Sequence, residues 1–140
     1  MSALVSDLMQ TDVATIGVNQ TLAAVGTKLY EAGVGSLIVH SEDGVPMGII
    51  TPQDLLQAVA DSGRTLSECV VTEYMSRPLL TIERERPVRS AVRRMNEEQV
   101  EQLAIVEEYE VVGILAQADV IDSYESLIRA AHKAERQPED

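Results

Sequence analysis

The sequence predicts an α/β (α+β) fold built from two β-α-β-β-α repeats, related by a pseudo-two-fold axis and packed through their sheets. Three observations lead there. Short motifs recur in one order at one repeat distance. Each repeat switches between helical and strand periodicity at matching places. Two nearly continuous apolar runs per repeat read as strands covered on both faces. Val5-Ser6-Asp7-Leu8-Met9 returns as Val71-Thr72-Glu73-Tyr74-Met75, a displacement of 66 residues between Met9 and Met75. Gly48-Ile49-Ile50-Thr51-Pro52-Gln53-Asp54 returns as Gly113-Ile114-Leu115-Ala116-Gln117-Ala118-Asp119, displaced by 65 between Asp54 and Asp119, so the copies differ by one residue in a loop. Thr15/Thr81, Ile16/Ile82, Glu31/Glu97, Val34/Val100 and Leu37/Leu103 also agree. Two copies of about 60 residues exclude a long stacked array. Neither is long enough to bury a comfortable core alone, so one folding unit with a shared interface is expected. The expected boundaries are 5–62 and 71–128 for the repeats and 129–140 for the end of a last helix and a tail.

The elements follow in order. After each Val-x-acid-x-Met stretch comes an extended segment, Val13-Ala14-Thr15-Ile16 or Leu79-Leu80-Thr81-Ile82. Asn19-Gln20-Thr21 and Glu85-Arg86-Pro87 then start helices, with Pro87 near the first helical position, where a missing N–H is harmless. Leu22, Val25 and Leu29, and in the second copy Val88, Ala91, Val92 and Met95, keep the three-and-four spacing of an amphipathic helix. Gly33 and Gly35 end the first helix, where the second copy has Gln99 and Glu101. The strands are Ser36–His40 and Met47–Ile50, matched by Gln102–Val106 and Val112–Leu115. Thr51 then serves as a natural N-cap with Pro52 at the first helical position. Asp61-Ser62-Gly63-Arg64 breaks the chain between copies, Ser123–Arg136 continues as a longer final helix, and 137–140 is expected to fray.

Composition narrows the function. The formal charge of −12 argues against nucleic acid, whose backbone needs clustered Lys and Arg, and against an anionic membrane surface. Acids number 23 against 11 Lys plus Arg, lysine occurs only at Lys28 and Lys133, and Phe and Trp are absent. That bias resembles proteins of salt-loving microbes, where molar salt shortens the Debye length to roughly 3 Å and makes self-repulsion tolerable. A halophilic archaeal source is the expectation; an ordinary acidic protein is the plain alternative. One cysteine, Cys69, suits a reducing compartment and a buried thiol. No cationic and apolar leader follows Met1 and no apolar run nears 18 residues, so a soluble cytoplasmic protein is expected. His40 and His132 stand far apart without partners, so no metal site is expected, and no nucleophile–base pair marks an enzyme. Tyr74 and Tyr124 are expected to pack at interfaces.

Two residues carry chemistry on their own terms. Thr51 stands where a strand passes into a helix N-terminus, a place that favours anions, and its hydroxyl can touch a phosphate or ribose oxygen. Asp54 lies in the first turn, where a carboxylate can accept from both hydroxyls of a ribose. The plain alternative is capping, with Thr51 as the cap and Asp54 at the third position. Asp119 repeats the acid, but the Thr51 equivalent is Ala116, which can neither cap nor contact a phosphate. Losing such a cap costs on the order of 1 kcal/mol. The Thr51/Asp54 site is therefore expected to be the better one, and the Asp119 site weaker, altered or empty.

The paired Val-x-acid-x-Met stretches, the Val34-Gly35-Ser36-Leu37-Ile38-Val39 junction and Gly48-Ile-Ile-Thr51-Pro-Gln-Asp54 together resemble a tandem CBS-domain pair, or Bateman module, from about Val5 to Ile128. The resemblance implies a free-standing regulatory module forming a disc-like homodimer. It also implies an adenosyl ligand, AMP, ADP, ATP or S-adenosylmethionine, with no required cofactor. The module would modulate an enzyme or transporter; the alternative is a dimerisation or interaction module with unused clefts. The resemblance further implies composite clefts. Thr51, Gln53 and Asp54 would face Pro78, Leu79 and Leu80 with Val100, Glu101 and Gln102. Ala116 and Asp119 would face Val13 and Ala14 with Val34, Gly35 and Ser36. Arg77 is the candidate to reach a phosphate, the other arginines of 84–94 reading as a solvated helix face. Glu101 in a cleft would repel phosphate, and the shortage of cations around the junctions favours a neutral or cationic adenosyl ligand, or none.

Overall fold

The computed structural model describes residues 3–136; the frayed tail expected at 137–140 lies outside them. The chain forms α1 (Val5–Leu8), β1 (Thr15–Gly17), α2 (Leu22–Ala32), β2 (Leu37–His40), β3 (Pro46–Ile50) and α3 (Pro52–Ser62). After a 3₁₀ turn at Leu66–Glu68 come α4 (Val71–Tyr74), β4 (Thr81–Glu83), α5 (Val88–Glu98), β5 (Gln102–Glu107), β6 (Glu110–Ala116) and α6 (Gln117–Arg136). Two three-stranded sheets result, ordered β1-β2-β3 and β4-β5-β6. In each, the first pair is parallel and the second antiparallel. The α+β class expected from the sequence is the class observed.

The compact units do not coincide with the repeats. One, the inner unit, is Asp12–Leu80; the other, the outer unit, joins Met1–Thr11 to Thr81–Asp140. Each therefore holds the body of one repeat and the lead-in segment of the other. In the inner unit Val71 N–H donates to Gln20 O at 3.0 Å and Leu22 N–H to Cys69 O at 2.9 Å. Ser76 and Ile49 exchange backbone bonds of 2.9 and 3.0 Å. The outer unit repeats the scheme: Val5 N–H donates to Arg86 O at 2.8 Å, and Gln10 and Ile114 exchange bonds of 2.8 and 2.9 Å. The lead-in valines, Val5 and Val71, are fully buried.

Amphipathic spacing explains the inner core. Leu22, Val25 and Leu29 of α2 pack with Leu37, Val39 and Ile50 of the sheet, Ala58 of α3, and Cys69, Val71 and Met75 of the lead-in. Cys69 is the buried thiol the sequence predicts, and Tyr74 packs partly buried against this cluster. The outer unit buries Ala91, Met95, Leu103, Ile105 and Leu115 in the corresponding way. Thr21 caps α2 by accepting from Ala24 N–H at 3.1 Å, and Gly33 ends it at φ 66°. Gln99 ends α5 in the same left-handed conformation, φ 57°, without glycine's freedom. Pro87 is the N-cap residue of α5 rather than its first helical residue. Tyr124 is 64% exposed, so the packing expected of it is not supplied within the chain. No helix among the described residues is long and apolar enough to cross a membrane.

Candidate functional site

A shared device begins five helical turns. An acid at the third position reaches back to the amide three residues earlier, satisfying a donor that the helix leaves unpaired. Asp7 Oδ2 accepts from Leu4 N–H at 2.8 Å, and Glu73 Oε1 from Val70 N–H at 2.9 Å. Glu68 Oε1 accepts from Thr65 N–H at 3.0 Å. Asp54 and Asp119 belong to this set: each Oδ2 accepts at 2.9 Å, from Thr51 N–H and Ala116 N–H respectively. The acid of the Val-x-acid-x-Met stretch is thus a capping acid.

The capping bond corrects one expectation. Thr51 stands at the N-cap, yet its hydroxyl makes no capping bond to a helix amide. It donates instead to Asp54 Oδ2 at 3.3 Å. Ala116 therefore forfeits no capping bond that Thr51 makes, and in both repeats the acid accepts from the N-cap residue's own amide. Any difference between the sites has to come from elsewhere.

Asp54 is half-buried at the first turn of α3. Burial pushes its carboxyl above the usual carboxylate value, against the Thr51 amide and hydroxyl, which pull it down. Among the described residues its second oxygen, Oδ1, has no hydrogen-bond partner. Asp119 differs: Gln10 Nε2 donates to its Oδ1 at 2.9 Å.

Sheet topology decides what lies near each acid. Leu37 pairs with Ile50, and Thr15 with Ile38. The start of β1, the start of β2 and the end of β3 therefore share one end of the inner sheet. Val13 and Ala14, Val34, Gly35 and Ser36, and Thr51, Gln53 and Asp54 all belong to that end. Ser36 is buried, Val13, Ala14 and Val34 are half-buried, and Gly35 and Gln53 are exposed. In the outer unit Gln102 pairs with Ala116, and Gln117 N–H donates to Glu101 O at 2.8 Å. Val100, Glu101 and Gln102 thus stand at the sheet end of Asp119. An antiparallel hairpin returns the end of its second strand to the start of its first, so within each unit the acid shares a sheet end with the helix–strand junction of its own repeat.

Of Pro78, Leu79 and Leu80, a backbone contact places Leu79, and at the far end of β3 from Asp54. Leu79 N–H donates to Met47 O at 3.2 Å, near the beginning of β3. Arg77 is exposed and lies along Gly48, where a Cβ on that glycine would stand 3.5 Å from the arginine's own. Sequence reasoning missed Gln10. The signal available was its mismatch with Ser76, the residue 66 positions on. Among the described residues no group of three His, Cys, Asp or Glu is placed to hold a metal ion.

The CBS domain family matches residues 5–61 and 71–126. An uncharacterised protein of Methanopyrus kandleri is 31% identical over 86% of this chain, which spans 62% of that protein's length. The CBS domain-containing protein YhcV of Bacillus subtilis is 32% identical, with 83% of this chain and 81% of YhcV aligned. A solved structure of the CBS domain pair of protein MJ0100, in complex with 5′-methylthioadenosine and S-adenosyl-L-methionine, superposes with a TM-score of 0.75. It is 25% identical, and the match covers 87% of this chain and 99% of that one.

Proposed function

This chain belongs to the CBS-domain family, and from that premise we propose that it is a regulatory ligand-sensing module whose Asp54 site binds an adenosyl compound. One observation carries the reading. Asp54 is fixed by one oxygen to the Thr51 amide while the other is left unpartnered at the sheet end. A carboxylate held this way accepts from ribose hydroxyls. Val13, Ala14 and Val34 supply an apolar wall for a base, and Gly35 has no atom within 4 Å of where a Cβ would stand, leaving room beside it.

Charge selects among the ligands. None of Val13, Ala14, Val34, Gly35, Ser36, Thr51 or Gln53 is cationic, so nothing in that set repays the desolvation of a phosphate. The proposed preference is for S-adenosylmethionine or 5′-methylthioadenosine over AMP, ADP and ATP. The MJ0100 complex, which holds the first two, supports that order.

The proposed assembly is a homodimer. Leu56 and Val59 of α3 are 62% and 59% exposed; their equivalents Ile121 and Tyr124 of α6 are 50% and 64% exposed, with Ile128 one turn on at 41%. Apolar side chains at this spacing form a helix-packing stripe with nothing on it. Ligand would act by favouring one arrangement of the assembly, and so its affinity for an enzyme or transporter partner.

Thermal-shift measurements with S-adenosylmethionine, 5′-methylthioadenosine, AMP, ADP and ATP test the ligand. At a concentration 100 times the dissociation constant the stabilisation is about 2.7 kcal/mol. An upward shift that disappears in Asp54→Ala supports the site. No shift with any of the five, or equal shifts in the variant, refutes it. Light scattering of Leu56→Asp tests the assembly: a monomer is expected, and an unchanged dimer refutes the α3 stripe.

A further inference from the structure

We propose that Gln10 is a built-in occupant of the Asp119 site, a residue that makes the two repeats unequal by filling the second ribose position with its own amide. The inference rests on the ribose-acid reading of Asp54 and Asp119 and extends it to specificity.

The lead-in segments are held in matching ways. Gln10 is bridged to Ile114 by two backbone bonds, and Ser76 to Ile49 by two more. Each bridge therefore presents the side chain of residue 10 or 76 from an equivalent backbone position. At position 10 that side chain is long enough for its Nε2 to reach Asp119 Oδ1 at 2.9 Å. At position 76 it is a serine, and among the described residues Asp54 Oδ1 has no partner. The amide N–H of Gln10 is a donor to carboxylate, as a ribose hydroxyl would be. An incoming ribose at Asp119 has to displace it, and at Asp54 it does not. A polar contact on an exposed segment is displaceable, so the Gln10 side chain lowers affinity at Asp119 rather than forbidding binding.

The pair of positions supplies its own test by exchange. Isothermal titration with S-adenosylmethionine is compared in the wild type, Gln10→Ser, Ser76→Gln and Gln10→Ser with Asp119→Ala. Serine already stands at the matching position, so Gln10→Ser is expected to keep the wild-type circular dichroism and melting transition. The inference expects the Asp119 site to bind about fivefold more tightly in Gln10→Ser than in the wild type, the gain being removed by Asp119→Ala. Ser76→Gln is expected to weaken the Asp54 site by roughly fivefold, as one net hydrogen bond of about 1 kcal/mol implies. One equivalent in both wild type and Gln10→Ser overturns the inference and leaves the Asp54 reading standing. Two equivalents with equal affinities at the Asp119 site in the wild type and Gln10→Ser also overturn it. No binding by wild type but one equivalent by Gln10→Ser upholds the inference and overturns the Asp54 reading. No binding by any form overturns both.

Discussion

Replacing Gly48 by alanine tests the docking of the lead-in segment on its sheet. A Cβ at Gly48 would stand 2.5 Å from Ser76 O and 3.3 Å from Met75 Sδ. The sulfur can swing aside; the backbone oxygen cannot do so alone. That oxygen accepts from Ile49 N–H at 3.0 Å, while Ser76 N–H donates to Ile49 O at 2.9 Å. A retreat of about half an ångström to a tolerable contact stretches both bonds. Two backbone hydrogen bonds at about 1 kcal/mol each, with overpacking of about 1–3 kcal/mol, oppose a gain of about 0.5–1 kcal/mol from removing a glycine. The net loss is about 2–4 kcal/mol. Urea unfolding followed by far-ultraviolet circular dichroism should show a lower midpoint at an unchanged slope. Gly26→Ala is the control: its Cβ meets only Leu55 Cδ1 at an ordinary 3.6 Å, and a helical alanine gains up to about 1 kcal/mol. Gly113→Ala meets the end of the flexible Met9 side chain first, at 2.6 Å to Sδ, and should fall between the two. A Gly48→Ala midpoint equal to wild type, with Gly26→Ala raised, refutes the close crossing of the lead-in over β3.

Three further outcomes are expected. Ligand affinity, measured by titration calorimetry at several pH values, should rise as pH passes through the raised Asp54 value and then level off, because ribose hydroxyls bind the ionised form; an unchanged affinity well below it refutes the role of Asp54. Glu73 is held below the usual carboxylate value by Arg64 and then by Val70 N–H, and Glu68 by Thr65 N–H. Their stabilisation is present above the unfolded value and lost as pH falls through the folded one, so Glu73→Gln should flatten the acid limb of a melting-temperature profile. Raising KCl from about 0.1 to about 1 M, which cuts the Debye length from roughly 10 to 3 Å, should raise the melting temperature if the −12 charge is an adaptation to salt; a flat or falling profile refutes that proposal.

The elements were readable because their signals are local. Leu22, Val25 and Leu29 sit three and four apart and are all buried, and the run Leu37-Ile38-Val39 is buried at every residue. The site was read less well. Thr51 carries the composition of an N-cap, but Asp54 takes the amide and leaves the hydroxyl as a donor. A capping box offers two N–H donors to two side chains, and residue types do not say which of the two bonds is made. The sheet end that Thr51 shares with Ser36 was legible as well. An apolar run, a four-residue turn and a second apolar run form a hairpin, which returns Thr51 to the level of Ser36 by geometry alone. Gln10 was hidden for another reason: it acts through a residue 109 positions away, and nothing local to it marks the contact.

The doubled motifs describe a reciprocal exchange more than two equivalent halves. The chain leaves the outer unit after Thr11, completes the inner unit by Leu80, and only then returns. Val71 and Met75 enter the core of the inner unit, though they open the second repeat in sequence. A repeat taken alone would keep a lead-in with no sheet to dock on and a sheet with no lead-in. The buried valine it would forfeit is worth about 1.5–3 kcal/mol, a large share of what holds so small a body together. This explains why Val5/Val71, Met9/Met75 and Gly48/Gly113 recur as a set. Each valine fills the other repeat's core, and each glycine clears the path of the other repeat's methionine. The same crossing carries Gln10 to Asp119 and Ser76 past Ile49. A single residue in a lead-in is therefore placed to act on the capping acid of the opposite repeat.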